Sequence, residues 1–135
     1  VVIAFTVETN GKLPTDMSLE EAIYIVDQAT DSYPAYYMIN CAHPIHFDRV
    51  ILNQAPWVER IRGIRANASM MSHAELDESE TLDEGNPQDL GERFYKLKQQ
   101  LPHLSVLGGC CGTDHRHIEA ICQTHSPVLV NQVAN

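Results

Sequence analysis

Four short apolar runs, each followed by residues at helical spacing, constrain this chain more than any other feature in it. The first, Val1-Val2-Ile3-Ala4-Phe5-Thr6-Val7, reads as a strand buried on both faces and is broken by Asn10-Gly11 and Pro14. Ser18-Leu19-Glu20-Glu21 then fits a capping box, with Leu19, Ala22, Ile23 and Val26 following on one helical stripe. A second strand is expected over 35–40, and beyond Pro44 a second stripe of Phe47, Val50, Ile51 and Ala55. Residues 61–67 read as a third strand, weakened by their charges and by Gly63. Residues 69–87 form the longest irregular segment, acidic through Asp77, Glu78, Glu80, Asp83 and Glu84. Leu90, Phe94, Leu97 and Leu101 mark a third helix, and 104–109 a fourth strand ending in glycines. Thr113 or Asp114 is placed to cap a last helix carrying Ile118 and Ile121.

Strands joined by helices pair in parallel through right-handed crossovers, so the order βαβαβαβα dictates an α/β fold. Four βα units are half of an eight-unit barrel, which takes about 250 residues. Periodicity alone leaves open a half-barrel, an open flavodoxin-like sheet or a fragment. Because the chain begins at Val1 rather than Met, a processed, trimmed or excised piece is expected.

Composition narrows the function. The formal charge of −9, with few and scattered basic residues apart from Arg60, Arg62 and Arg65, argues against nucleic acid, whose phosphates demand clustered Lys and Arg. No apolar run approaches the ~18 residues of a membrane span. No secretory signal pattern is visible, and a cytoplasmic location is expected. The four cysteines do not resemble a small disulfide scaffold, and the vicinal pair Cys110-Cys111 suits an ordinary structural bridge poorly. Reduced thiols then read as metal ligands, catalytic groups or small buried hydrophobes.

In any of these folds chemistry gathers at the C-terminal ends of the strands. Glu8, Asn40-Cys41, Asn67 and Ser69, and Gly109-Cys110-Cys111-Gly112 all fall there. Zinc is the natural occupant of a site built from Cys41, Cys110 and Cys111, since it takes soft sulfur ligands and keeps one position open in catalytic sites. The glycines around the pair give the backbone freedom to bend. The competing reading is buried thiols beside a glycine-rich turn. Cys122 reads as core and Trp57 as packing; His43 and His46 read as loop histidines that could also supply a ligand. His117 suits capping or packing as well as substrate contact.

Asn40-Cys41 with Pro44, then Gly108-Gly109-Cys110-Cys111-Gly112-Thr113 and His117-Ile118, resemble the signature of the homocysteine S-methyltransferase family. The opening Ala4-Phe5-Thr6-Val7-Glu8 and Asn10-Gly11-Lys12-Leu13-Pro14 are similar to that family's fifth strand and following loop. The resemblance spans the whole chain, 1–135. It implies a parallel (βα)4 half-barrel corresponding to the C-terminal half of a (β/α)8 TIM-type barrel. It further implies Cys41, Cys110 and Cys111 as ligands of Zn2+, with homocysteine sulfur as the fourth. Glu8, Thr6 and Asn67 match positions near the amino-acid part of homocysteine. The Tyr-Pro-Asn stretch common after the family's seventh strand is here Arg65-Ala66-Asn67, so only Asn67 carries over. The implied partners are homocysteine and a small methyl donor, with the first half of the barrel missing or replaced by self-association. A zinc-binding half-barrel without turnover is the alternative. A redox role for Cys110-Cys111 is disfavoured by the lack of a C-x-x-C spacing.

Overall fold

A parallel strand cannot return to its neighbour by a hairpin, so each crossover must climb over one face of the sheet. In the computed structural model, which describes residues 1–125, four strands follow this rule; 126–135, included in the expected domain, lie outside the described residues. The strands are β1 (Val2–Thr6), β2 (Tyr36–Ala42), β3 (Ile61–Ala66) and β4 (Val106–Gly109). All three pairings are parallel and the spatial order is β1-β2-β3-β4. A doubly wound sheet reverses its winding at a switch point; this one never does. The observed order is that of consecutive barrel strands, which removes the flavodoxin-like alternative and gives the expected half-barrel.

Among the described residues helices pack on one face only. Helix α1 (Leu19–Thr30) begins at Ser18, whose hydroxyl accepts the Glu21 amide, as the capping box requires. Helices α4 (Pro87–Gln100) and α5 (His115–His125) lean on each other, and Leu90, Phe94, Leu97 and Ile121 join the core. Tyr37, Ile39, Ile61 and Ile64 supply the sheet's share of that core.

The other face is open, contrary to the expectation that the first strand is covered on both sides. Val2 and Ala4 are exposed. Register places Ala4, Met38, Gly63 and Val106 in one row across the sheet, and Thr6, Asn40, Arg65 and Gly108 in the next. Such rows are the layers that fill the inside of a closed barrel. Gly63 is explained here: the Met38 side chain lies across it, and a Cβ would meet Met38 Cγ at 2.7 Å.

The second helical stripe yields less helix than its spacing predicts. A 3₁₀ turn at Pro44–His46, a single turn α2 (Asp48–Ile51) and another 3₁₀ turn at Pro56–Arg60 replace one helix. Gln54 at φ 59 and Pro56 stop propagation, while Phe47 and Ile51 are still fully buried. The acidic segment holds a short helix, α3 (His73–Glu78), which the sequence reading left irregular.

Candidate functional site

The strand ends carry the chemistry, and a defect in β2 aims it. Between Asn40 and Ala42 the register with β3 slips, leaving Cys41 as an extra residue with φ 54. A bulge of this kind bends the strand and redirects a side chain, and the left-handed backbone is one that a residue with a Cβ rarely adopts unless its surroundings hold it there. Two groups grip the Cys41 carbonyl: Asn67 Nδ2 donates to it at 3.0 Å and His73 Nε2 at 2.6 Å.

The second loop continues directly from β4. The Cys110 amide donates to the Ala66 carbonyl at 2.7 Å and the Ala68 amide to the Cys111 carbonyl at 3.1 Å. Gly112 follows at φ 78, pressed so closely against the preceding crossover that a Cβ would meet the Asp83 carbonyl oxygen at 2.3 Å. Thr113 Oγ1 donates to the Cys110 carbonyl at 2.7 Å.

These two devices bring the three expected thiols together from separate strand ends. Cys41 Sγ lies 2.6 Å from Cys110 Sγ, and Cys110 Sγ lies 3.9 Å from Cys111 Sγ. Around a tetrahedral zinc with Zn–S bonds of about 2.3 Å, sulfurs stand about 3.8 Å apart. The Cys110–Cys111 edge has that length, whereas Cys41 would have to draw back by about an ångström to match it. Among the described residues no group of three or more His, Cys, Asp or Glu is set out as a ready-made metal cage. The donor set nevertheless suits zinc in its chemistry, being three soft sulfurs from two neighbouring strand ends.

The thiols do not ionise alike. Burial pushes Cys41 up to about 12, and its contact with Cys110 adds to the rise. Burial opposes ionisation of Cys110 too, but hydrogen bonds from Cys41 and Cys111 outweigh it and leave Cys110 below the ordinary thiol range. Cys111 is raised, first by its contact with Cys110. The positive charge of Arg65, whose Nε donates to the Gly109 carbonyl at 3.3 Å, also lowers Cys110.

A pocket of about 470 Å³ opens beside the sulfurs, lined by Thr6, Cys41, Asn67, His73 and Cys111, with Leu76 and Leu82 from the acidic segment. Asn67 is buried, and among the described residues its Oδ1 has no hydrogen-bond partner. Thr6 Oγ1 receives Asn40 Nδ2 at 3.4 Å. Glu8 does not line this pocket; its Oε1 stands 3.3 Å from His73 Nδ1, behind the pocket wall. The acidic segment does more than meet water, since Asp77 and Glu80 lie on the pocket rim.

The remaining histidines have other work. His43 Nδ1 accepts the Ile45 amide at 3.2 Å, and burial pushes this ring down to about 4, so it is neutral. His46 Nε2 meets the Met70 carbonyl at 2.9 Å. His117, fully buried, accepts the Asp114 amide on Nδ1 and donates from Nε2 to the Glu84 carbonyl, which is capping and packing together. Cys122 corrects the core expectation: it is exposed, as is Ile118 one turn earlier, because Ala120 and Ile121 take the inward face of α5.

His73 and Arg65 are the site residues that the sequence reading missed. Ser72-His73-Ala74-Glu75 carried a usable signal, a second capping box within the acidic segment. Arg65 stands where the resemblance breaks down and offered no such signal.

A parallel half-barrel with three thiols gathered at its C-terminal rim defines a thiolate-site barrel protein in general terms. The family model for homocysteine S-methyltransferase matches residues 1–125, and the chain belongs to that family. Comparison with curated proteins and with solved structures found no match.

Proposed function

We propose that this chain is the metal-holding half of a zinc-dependent homocysteine S-methyltransferase barrel, which moves a methyl group onto the homocysteine thiol and yields methionine. The observation that carries the proposal is the meeting of sulfurs from two separated strand ends, 2.6 and 3.9 Å apart. Membership of the family supports the reaction class. A reducing compartment such as the cytoplasm suits free thiols in this arrangement.

In this reading Cys41, Cys110 and Cys111 hold the metal. When bound there, zinc supplies a Lewis acid that lowers the pKa of the substrate thiol. The chain's own residues do the rest. The bulge at Cys41 and the glycine turn after Cys111 fix where the substrate sulfur must enter. Asn67 offers to the substrate ammonium its Oδ1, which has no partner among the described residues, and Thr6 stands at the neighbouring strand end to orient the amino-acid part, with Glu8 behind it on the far side of His73. The methyl donor must carry a good leaving group, and it approaches from the open mouth of the pocket.

A second reading, a zinc-binding half-barrel that needs a partner or its N-terminal half for turnover, is supported by the open inner face and by the edge strands β1 and β4. Two measurements separate the readings. Metal analysis of the reduced chain is expected to find about one zinc per chain on either reading. Methyl transfer to homocysteine by the chain alone supports the first, and transfer that appears only with an added N-terminal half supports the second. A chain that retains no zinc contradicts both.

A further inference from the structure

Helix α3 is short, but its start is well fixed. Ser72 Oγ accepts the Glu75 amide at 3.2 Å and donates to Glu75 Oε1 at 2.9 Å, closing a capping box around His73. That box sets His73 at the first helical position, facing back toward the strand ends. Its ring then spans two of them. Nε2 reaches the Cys41 carbonyl, which can only accept, so this nitrogen carries a proton. Nδ1 stands 3.3 Å from Glu8 Oε1 at the end of β1. Nε2 thus holds the ring on the carbonyl of the bulged residue whose φ is 54, and with a second proton on Nδ1 the ring donates to Glu8 as well.

We propose that His73 is a positioning residue for the thiol cluster, acting through the Cys41 carbonyl and itself oriented by Glu8. The inference rests on the zinc reading above and adds how Cys41 is held. Without the His73 donor, Asn67 alone would hold the Cys41 peptide, and a bulge with a left-handed residue would relax toward ordinary strand geometry and carry the sulfur with it. Groups that orient metal ligands from behind typically change metal affinity by about 10–100-fold when removed.

The test is zinc affinity, measured by competition with a chelator on the full reduced chain, with melting temperature recorded for each variant. H73A is expected to weaken zinc binding by about 10–100-fold. H73Q, whose amide nitrogen can still donate to the Cys41 carbonyl, is expected to recover part of that loss, which a role in folding alone would not produce. E8Q is expected to weaken binding less than H73A, and the H73A/E8Q pair to match H73A, because Glu8 acts only through the ring. Unaltered affinity in H73A overturns this proposal and leaves the zinc reading standing. Equal weakening in H73Q and H73A overturns the role of the donor, and additive losses overturn the link to Glu8. An unmodified chain that binds no zinc overturns both readings.

Discussion

Cys110 is the residue on which the site turns. It touches both other thiols, and the positive charge of Arg65 favours its ionised form. Cys110→Ser keeps the shape and removes the soft donor, so metal analysis should find less than a tenth of the unmodified chain's zinc, roughly the loss expected for one of three ligands. Unchanged metal content would remove Cys110 from the ligand set. Gly112 has the opposite character, since it contributes backbone shape and no donor. Alanine there must adopt φ 78 and push its Cβ into the Asp83 carbonyl. Urea denaturation of Gly112→Ala is therefore expected to show a loss of at least about 2 kcal/mol. The thiols were legible in the sequence because cysteines after strand-like runs must lie on one rim of a parallel sheet. His73 was not, because its importance comes from two acceptors contributed by distant strands, and no local pattern records those.

At the level of elements, α1 is tied to the start of the neighbouring strands by one ionic contact. Asp27 accepts from Arg60 Nε and Nη2, both at 2.9 Å, and from Tyr37 Oη at 2.8 Å, while the Arg60 guanidinium lies over the Tyr37 ring at 5.2 Å. Hydrogen bonds from Arg60 lower the Asp27 carboxyl below its ordinary range against the opposing effect of burial, and Tyr37 helps. A carboxyl depressed in the folded state contributes stability above its unfolded pKa of about 3.9 and loses it as pH falls through the folded value. Thermal melts of the unmodified chain should therefore drop below about pH 4, and Asp27→Asn should flatten that part of the profile. The same variant should lower stability at neutral pH by about 1–3 kcal/mol, since it leaves Arg60 with a weaker partner. An unaltered acid limb would show that other carboxylates govern it. The capping box at Ser18 and the α4 stripe were plain in the sequence. The region after Pro44 was not, because Phe47 and Ile51 satisfy a helical stripe from the N-cap and last residue of a single turn, which Gln54 and Pro56 keep from growing.

At the scale of the whole molecule, the sheet is finished on one side only. Among the described residues helices cover the face of Tyr37, Ile39 and Ile64, whereas the rows led by Ala4 and Thr6 face outward, and β1 and β4 each present an unpaired edge. Parallel sheets are ordinarily covered on both faces. The chain alone is therefore expected to self-associate, with light scattering at micromolar concentration giving a mass above that of the monomer; a strictly monomeric species would contradict this. Adding the N-terminal half of a family member should compete with that association, since both would cover the same rows. The half-barrel order and its uncovered inner layer were accessible from the βα count together with the family resemblance, whereas strand composition alone reads Val2 and Ala4 as buried.

The account stands or falls on three sulfurs sharing one ion. X-ray absorption at the zinc edge of the reduced, metal-loaded chain measures this directly. The account predicts three sulfur neighbours at about 2.3 Å, rising to four when homocysteine is added. Zinc bound chiefly by nitrogen and oxygen, with a spectrum that homocysteine leaves unchanged, would contradict it.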